Sequence, residues 1–447
     1  MLTSDVSRAF FEAPAKRKVA VRLPEEALQA GESRDRTVGL LQQSLYGTRD
    51  AAVNFQNEVK RMMQKFGYVQ AKYNASLYYH PATGVRVMVH GDDFVAVGWR
   101  SAVRDFRKQV ASRFTVQDKM LGGRTDLGEI KETRILNRIV RVTAEGWEYE
   151  ADQRHADLIV REMGVSSAKP TKTPGEDEPG WKLEDGERPV DRSQLSKFRA
   201  IAARANYLAP DRLDLQYAVK ECCRGMASAE ARHWEKLKRI ARYLVGRPRA
   251  VWKYRWRHPE NVVTYSDSDF AGCRRTAKST SGGIVMRGGH HIKSWSSTQK
   301  KVTLSSAEAE LAACIKASAE TIGVAQMAGG LGRQVEGEVY VDSSAALGVV
   351  NRKGNGELRH IRVGHLWIQQ TAEDEILAYR KVHGKNNPAD VCTKYVTQKV
   401  MDDALIKVEM EIREGRAQEE DVKSRRHRRR TVMRVQGRVW EGLRVSA

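Results

Sequence analysis

Apolar and polar positions follow two different periods along the first hundred residues. Residues 51–66 carry apolar side chains at helical spacing, which predicts one amphipathic helix. The apolar positions of this helix are Val53, Val59, Met62, Met63 and Phe66. Apolar runs at 85–90 and 94–98 flank Gly91-Asp92-Asp93 and predict a β-hairpin. Residues 5–11 are predicted to form a strand followed by the start of a helix.

The C-terminal half contains short apolar runs that end in a carboxylate. Asp267 ends the run that begins at Val262, and Asp342 ends a second run, 339–342. Glu310 lies in residues 304–313, where a helix is predicted to open, and Asp390 lies at the predicted start of a last helix.

Three further segments organise the chain. Residues 195–244 are predicted to be helical, with the helix ending at Gly246 before Pro248. Residues 166–192 are rich in proline, glycine and charge, which indicates a linker. The tail is predicted to be helical at first and then to end in a basic run, 423–430, that is disordered by itself.

Composition narrows the class of partner. The chain has 447 residues, enough for about two to four domains, and a formal net charge of +21. Such a charge is typical of proteins that cover phosphates. No apolar stretch is long enough to cross a bilayer, and no basic amphipathic helix presents an aromatic stripe to lipid, so no membrane partner is expected.

The termini and the cysteines predict an intracellular location, either nuclear or cytoplasmic. The N-terminus has no signal-peptide pattern. The five cysteines, of which Cys222 and Cys223 are adjacent, fit neither a disulfide framework nor zinc-ligand spacing.

Four carboxylates in one domain favour metal chemistry. Buried carboxylates that converge are unfavourable unless they bind a cation, and two divalent ions about 4 Å apart can cleave a phosphodiester by in-line attack. For any one of the four a solvated carboxylate is the alternative, but four in this order favour a functional site. Of the neighbouring acids, Glu308 is expected to form a capping box with Ser305, and Asp269 is expected to be a turn carboxylate.

The serial order of motifs provides a more specific signal. The motifs Asp5-Val-Ser-Arg-Ala-Phe, Leu45-Tyr-Gly and Val89-His-Gly-Asp-Asp-Phe, in this order, resemble the reverse transcriptase of copia-type LTR retrotransposon Pol polyproteins. Residues 164–174 are similar to the family's thumb-to-connection segment, and 233–246 to its connection helix.

The resemblance continues through the carboxylate domain. Four segments match the family's ribonuclease H domain, namely 265–272, 279–282, 294–300 and 304–310. The similarity covers nearly the whole chain up to about Val396.

The resemblance implies an α/β fold. It predicts a partial reverse-transcriptase palm and connection, followed by a ribonuclease H-like mixed sheet of five strands with flanking helices. The implied domains are a palm without fingers at 1–100, a thumb-like region and linker at 101–192, a helical connection at 193–258, a ribonuclease H-like domain at 259–398 and a basic tail at 399–447.

The resemblance also implies two active sites, each with two Mg²⁺ or Mn²⁺ ions. In the polymerase, Asp5, Asp92 and Asp93 would hold the metals, and Phe10 would reject a ribose 2′-hydroxyl unless it is a plain core phenylalanine. Gly-Asp-Asp is also a common turn sequence, so the alternative to metal binding is that Asp92 and Asp93 only form a turn.

In the ribonuclease H domain, two overlapping sets of carboxylates would each hold one ion. Asp267, Glu310 and Asp342 would hold one ion, and Asp267 with Asp390 would hold the other. The implied reaction is hydrolysis of RNA in an RNA–DNA hybrid, with RNA template and DNA primer as further partners. An upstream polyprotein segment or a second copy is a further expected partner, and a retroelement particle an alternative location.

Departures from the family count against polymerase activity of this chain alone, although the resemblance implies that activity. The fingers before Asp5 are absent, and His90-Gly91 replaces the usual Tyr-Val before the two aspartates. The family's nucleotide-facing glutamine is Asp50 here, an anion beside a triphosphate. Two alternatives stay open: an inactive retroelement relic that only binds nucleic acid, and a non-catalytic binder that uses its charge alone.

Histidines and basic residues receive weaker assignments. His383 is expected to be an exposed loop histidine rather than a catalytic one, and no role is assigned to His360, His365 or the pair His290-His291. Several cations could bind the backbones of a hybrid or simply be solvated, namely Arg274, Arg275, Lys278, Lys300 and Lys301. The basic run 425–430 would bind polyanions without sequence choice or act as a nuclear localisation signal.

Overall fold

The computed structural model describes residues 1–33, 35–177, 189–259, 261–356, 360 and 363–417, so the basic run 425–430 lies outside the described residues. The chain forms two compact units. The first contains Met1–Ile130 with Gly330–Arg333, and the second contains Lys131–Gly329 with Gln334–Ala417. The boundary at residue 130 falls inside the segment 101–192 that the sequence assigns to a thumb-like region and linker. The five-part domain division therefore stays a prediction.

The first unit is a six-stranded sheet with two helices. Its sheet has the strand order β4-β5-β6-β7-β1-β8. The strands are β1 (Leu2–Val6), β4 (Val69–Gln70), β5 (Leu77–Tyr79), β6 (Arg86–His90), β7 (Asp93–Val97) and β8 (Val116–Met120), and β2 (Ala20–Arg22) pairs separately with β3 (Val38–Leu40). The helices are α1 (Ala51–Lys65) and α2 (Arg100–Ala111).

The predicted elements of this unit are confirmed with one exception. The hairpin β6–β7 and the helix α1 form as the pattern predicts, and a 3-10 turn, Ala9–Glu12, follows β1. Alternate side chains of the hairpin are buried, as expected for a strand with one face on the core. Val53, predicted on the apolar face of α1, is instead 62% exposed. Phe55 takes its place in the core, because the buried stripe of α1 runs through 55, 59, 62 and 63.

The second unit begins with an antiparallel sheet and a helical group. The sheet has the order β18-β12-β11-β10-β9. Its strands are β9 (Glu132–Ile135), β10 (Arg138–Val142), β11 (Gly146–Glu150), β12 (Arg249–Arg255) and β18 (Met410–Arg413). The helices are α3 (Gln153–Glu162), α4 (Arg192–Leu208), α5 (Gln216–Cys223) and α6 (Ala231–Gly246). The predicted helical stretch 195–244 is thus three helices, because Pro210 falls in a 3-10 turn after α4 and cannot continue the helix.

A buried ion pair fixes the turn between α4 and α5. Arg212 and Asp214 are almost fully buried and form a two-pronged pair, with Nη2 of Arg212 2.7 Å from Oδ2 of Asp214. The Tyr243 hydroxyl donates to the same carboxylate oxygen at 2.9 Å, and Arg212 also donates to the carbonyl of Arg247 at 3.0 Å. Because Tyr243 and Arg247 lie in or directly after α6, these bonds hold α6 against the turn.

The remainder of the second unit is a mixed five-stranded sheet with helices on both faces, as predicted. Its order is β15-β14-β13-β16-β17, with β13, β14 and β15 antiparallel and β13, β16 and β17 parallel. The strands are β13 (Val262–Ser268), β14 (Thr280–Arg287), β15 (His290–Thr298), β16 (Gly337–Val341) and β17 (Leu377–Lys381). The helices are α7 (Ser306–Gly330), α8 (Ser344–Val350), α9 (Trp367–Glu373) and α10 (Gln398–Lys407).

Two separate cores cover the two faces of this sheet. Helices α7, α8 and α9 pack with Val262 and Val339 in one core. Ile284 and Met286 of β14 join a second core that includes α10 and Trp252 of β12. None of the helices in the described part of the chain is long and apolar enough to cross a membrane.

The last helix begins later than the sequence predicts. Asp390 lies in a 3-10 segment, Pro388–Cys392, and the last α-helix, α10, begins only at Gln398. Asn387 caps the 3-10 segment by accepting from the Ala389 amide at 3.1 Å, and it donates to the Ser266 carbonyl at 2.9 Å. These two bonds attach the segment to β13 and hold it in the tighter turn.

Gly282 allows the 3-10 segment to lie against the sheet. It stands opposite Asp267 in the β13–β14 register. A Cβ atom added at Gly282 would lie 2.6 Å from Cγ2 of Thr393 and 2.7 Å from Cβ of Cys392. The absence of a side chain at position 282 is therefore a steric requirement of this packing.

We predict that Gly282→Ala lowers the free energy of unfolding by about 1–3 kcal/mol, because a methyl group would overlap a buried segment. Urea unfolding followed by tryptophan fluorescence measures this loss. Gly348→Ala in α8 is the matched control, since no heavy atom lies within 4 Å of its added Cβ. An equal effect of the two substitutions would contradict the steric argument.

Candidate metal centre

Three carboxylates predicted from the sequence converge at one edge of the mixed sheet. Asp267 is the penultimate residue of β13, Asp342 follows β16, and Glu310 lies in the second turn of α7. Because β13 and β16 are parallel neighbours, their carboxyl ends lie at the same edge. One oxygen from each of the three carboxylates lies within 4.8 Å of the others.

Asp390 is the fourth carboxylate of this cluster. Burial, followed by the charge of Asp267, raises its pKa to about 6. Its Oδ1 atom is buried and has no hydrogen-bond partner among the described residues. The attachment of its 3-10 segment to β13 explains how a residue so distant in sequence reaches the other three.

The electrostatics of the cluster favour a cation. Burial, followed by the charges of Asp267 and Asp342, raises the pKa of Glu310 to about 9. Burial and the charge of Asp267 also raise the pKa of Asp342. Oε2 of Glu310, like Oδ1 of Asp390, is buried without a hydrogen-bond partner in the described part of the chain. Unpaired carboxylate oxygens in close proximity are the donor set that Mg²⁺ and Mn²⁺ prefer, so these residues fit a divalent ion.

Neighbouring groups hold the carboxylates in place. The amide of Ser268 donates to Oε1 of Glu310 at 3.2 Å. The hydroxyl of buried Thr393 donates to Oδ2 of Asp267. The ammonium group of Lys394 lies 3.1 Å from Oδ2 of Asp390. Sequence reasoning missed Thr393 and Lys394, although they stand three and four residues after Asp390, where one helical turn brings side chains together.

The two acidic neighbours of the cluster are structural, as predicted. The amide of Thr280 donates to Asp269, which therefore closes the turn after β13. Ser305 accepts from the amide of Glu308 at 3.2 Å, which is one half of the predicted capping box. The other half differs, because the Glu308 carboxylate accepts from the amide of Leu304 at 2.7 Å rather than from that of Ser305.

The histidines take mainly local roles. His383 is exposed, and its Nδ1 accepts from the amide of Lys385 at 3.3 Å. Its loop borders the cluster, since a Cβ added at Gly384 would lie 3.4 Å from Oδ2 of Asp342. His291 stacks on Trp252 with ring centres 3.8 Å apart, and burial lowers its pKa to about 3. His360 bonds to Glu308, with Nε2 3.1 Å from Oε2.

The other histidines and the cations predicted to contact a hybrid lie in ordinary local settings. His290 Nε2 lies 2.9 Å from the carbonyl of Arg255. His365 ends a short 3-10 turn, Val363–His365. Arg275 pairs with Glu230 at 3.0 Å. Lys278 is half-buried, and the exposed cations of the predicted set are Arg274, Arg275, Lys300 and Lys301.

The second predicted constellation forms a looser group in the first unit. Asp5 and Asp93 stand opposite each other in the β1–β7 pairing, and Asp92 lies in the hairpin turn. Burial, followed by the charges of Asp5 and Asp92, raises the pKa of Asp93. Among the described residues, Asp267, Glu310 and Asp342 bring one oxygen each to within 4.8 Å of one another, whereas Asp5, Asp92 and Asp93 do not form such a group.

Phe10 and Asp50 flank this second group. Phe10 is half-buried on the core, and its ring centre lies 4.4 Å from that of Tyr46, with the two rings tilted by 36°. Both of its predicted roles therefore stay open. Asp50 accepts from Arg17 at 2.8 Å and from Asn54 at 3.2 Å, and the Arg17 hydrogen bond lowers its pKa. The anion that replaces the family's glutamine is therefore paired with a cation of the same unit.

Comparison with known proteins finds retrovirus-related Pol polyproteins of plant transposons among the relatives. No family model matches the sequence. The chain is 25% identical over 402 residues to a retrovirus-related Pol polyprotein from transposon TNT 1-94 of Nicotiana tabacum, and 27% identical over 401 residues to one from transposon RE2 of Arabidopsis thaliana. These alignments cover 88% and 87% of this chain. The chain spans only 29% and 26% of the length of those relatives.

A shorter relative and a solved structure are also similar. An uncharacterized mitochondrial protein of Arabidopsis thaliana is 32% identical over 171 residues, which is 37% of this chain and 68% of that protein. The structure of a foamy viral protease–reverse transcriptase in complex with an RNA/DNA hybrid aligns with 86% of this chain and 44% of its own. That alignment has 12% identity and a TM-score of 0.48.

We predict that stability in EDTA falls as the pH rises from about 4.5 to about 9. The folded chain keeps a proton on Glu310 that the unfolded chain releases near its usual pKa of 4.5, so this stabilisation is complete below 4.5 and is lost as the pH passes about 9. One such proton gives at most about 1.4 kcal/mol per pH unit.

Urea unfolding at several pH values checks this prediction. Glu310→Gln should flatten the slope, whereas Glu336→Gln, an exposed acid of the same domain, should leave it unchanged. A slope that persists in Glu310→Gln would show that other groups are responsible.

Proposed function

The chain is homologous to the retrovirus-related Pol polyproteins of plant transposons, and on this premise we propose that it hydrolyses the RNA strand of RNA–DNA hybrids. The observation that carries the proposal is the convergence of Asp267, Glu310 and Asp342 within 4.8 Å, with Asp390 beside them. The raised pKa values of Glu310, Asp342 and Asp390 support it, because such a cluster is most stable with bound divalent cations.

The four carboxylates would hold two Mg²⁺ or Mn²⁺ ions. Asp267, Glu310 and Asp342 would hold one, and Asp267 with Asp390 would hold the other. When bound, two such ions supply charge stabilisation at a scissile phosphate and make an attacking water more acidic. The amide of Ser268, which bonds to Glu310 at 3.2 Å, would keep that ligand in a fixed orientation.

The reaction is an in-line displacement at phosphorus. The oxygen of water forms a bond to phosphorus while the bond from phosphorus to the 3′ oxygen breaks, which leaves a 3′-hydroxyl on one RNA fragment and a 5′-phosphate on the other. Recognition of the hybrid would rest on groove shape and on 2′-hydroxyl contacts. The net charge of +21 would favour association with any such polyanion.

Polymerisation of DNA on an RNA template is the second candidate, and one observation favours it. Asp5 and Asp93 lie opposite each other on neighbouring strands with Asp92 in the adjoining turn, which is the arrangement that a two-metal polymerase site requires. The pairing of Asp50 with Arg17 removes one objection, because the carboxylate charge is already balanced there.

Two non-catalytic alternatives make different predictions from an enzyme. An inactive relic and a protein that binds through charge alone would both bind the hybrid in a salt-sensitive way. Neither would depend on a single carboxylate of the cluster for any chemical step.

We predict that the purified chain cuts the RNA strand of an end-labelled hybrid with Mg²⁺ or Mn²⁺. Asp342→Asn should lower the rate to below about 1%, because it removes a metal ligand. Asp374→Asn, the same substitution at an exposed position of the domain, should leave the rate unchanged. Salt-sensitive binding without any cutting would favour the non-catalytic alternatives.

For the first unit we predict that extension of a DNA primer on an RNA template, where it occurs, is lost in Asp93→Asn and retained in Asp105→Asn. Asp93 faces Asp5 across the strands, whereas Asp105 is an exposed residue of α2. Gel analysis of primer length measures the result. Extension that survives Asp93→Asn would remove the polymerase role from this site.

A further inference from the structure

Thr393 joins two of the proposed metal ligands. It lies three residues after Asp390, directly after the same 3-10 segment, and its hydroxyl donates to Oδ2 of Asp267. Its amide bonds to the carbonyl of Asp390 at 3.1 Å, so its backbone is tied to the residue that supplies the fourth carboxylate. Asp267 and Asp390 are 123 residues apart in sequence, and Thr393 links them directly.

The position of Thr393 is tightly determined. Its side chain is fully buried, and its methyl group occupies the space that the absent side chain of Gly282 leaves free. Gly282 is the register partner of Asp267, so the hydroxyl approaches the carboxylate from the neighbouring strand's side. A threonine held on its methyl side in this way has little freedom to turn its hydroxyl elsewhere.

The hydroxyl group has one proton and two nearby acceptors. Its oxygen lies 3.1 Å from the carbonyl of Asp390 and also contacts the carboxylate of Asp267. A carboxylate is the stronger acceptor of the two, so the proton is donated to Asp267. This bond fixes the rotation of the Asp267 carboxylate about its last side-chain torsion.

We propose that Thr393 is a positioning residue for divalent-ion binding: its hydroxyl locks the shared ligand Asp267 onto the segment that carries Asp390. The proposal rests on the proposed function and names a residue beyond its four carboxylates. Asp267 would serve both ions, so its orientation would affect the binding of each. Loss of the hydroxyl leaves a buried carboxylate oxygen without its donor and lets the carboxylate rotate away from the geometry that both ions need.

Binding of Mn²⁺ to the purified full chain, without any nucleic acid, tests this proposal. Isothermal titration gives affinity and stoichiometry for the unmodified chain and for Thr393→Val, Thr393→Ser and Thr393→Ala. Valine keeps the shape and removes the hydroxyl, serine keeps the hydroxyl, and alanine removes both. We expect about a tenfold to hundredfold weaker affinity for the valine and alanine variants, with the serine variant within about threefold of the unmodified chain.

A second buried threonine of the same domain provides the matched control. Thr371 is buried and donates to the carbonyl of Ile368 at 2.7 Å, away from the carboxylate cluster. Thr371→Val should leave Mn²⁺ affinity unchanged even if it lowers the melting temperature in EDTA. A purely structural role of Thr393 would instead make serine as harmful as alanine, because both variants lose the methyl group.

Three outcomes would overturn the proposal. They are unchanged Mn²⁺ binding in both Thr393→Val and Thr393→Ala, equal loss in the serine and alanine variants, and no Mn²⁺ binding by the unmodified chain. Failure of the proposed function appears differently, as an unmodified chain that binds Mn²⁺ in a hydroxyl-dependent way and yet cuts no hybrid. If Thr393→Val does not fold, the comparison of serine with alanine still decides the question.

Discussion

The second unit is organised around the repulsion among four partly buried carboxylates. Each charge loses hydration and meets like charges, which is why the pKa of Glu310 rises to about 9. Such a cluster persists only where the surrounding structure over-determines the position of its members. Two parallel strands, the first turns of α7 and a tethered 3-10 segment supply that constraint here.

Sequence patterns predicted the members of this cluster but not the groups that support them. Asp267 and Asp342 stand at the ends of apolar runs, and Glu310 and Asp390 stand near predicted helix starts, so the hydrophobic pattern marks the positions of all four. Thr393 is an ordinary polar residue in a short segment, and only the three-dimensional approach to Asp267 reveals its contact. The predicted start of the last helix was wrong for a similar reason, because the hydrogen bond from Asn387 to β13 overrides the local helix propensity.

In the first unit, the replacement of the family's glutamine by Asp50 has a structural context that the sequence does not show. Asp50 suggested an anion beside a triphosphate, yet the carboxylate is bonded to Arg17 and Asn54. Sequence alone could not reveal this pairing, since 33 residues separate Asp50 from Arg17. Val53 was misassigned because it stands six residues before Val59, a spacing that lies off the helical stripe of Phe55, Val59 and Met63.

The strand β18 has a consequence for how the second unit is synthesised. It closes the antiparallel sheet by pairing with β12, although Arg413 and Arg249 are 164 residues apart. The mixed sheet and its helices are therefore inserted between two neighbouring strands of another sheet. During translation the edge of β12 stays unpaired until residue 413 has left the ribosome. We therefore expect a gene fragment that stops at residue 398 to expose an aggregation-prone edge.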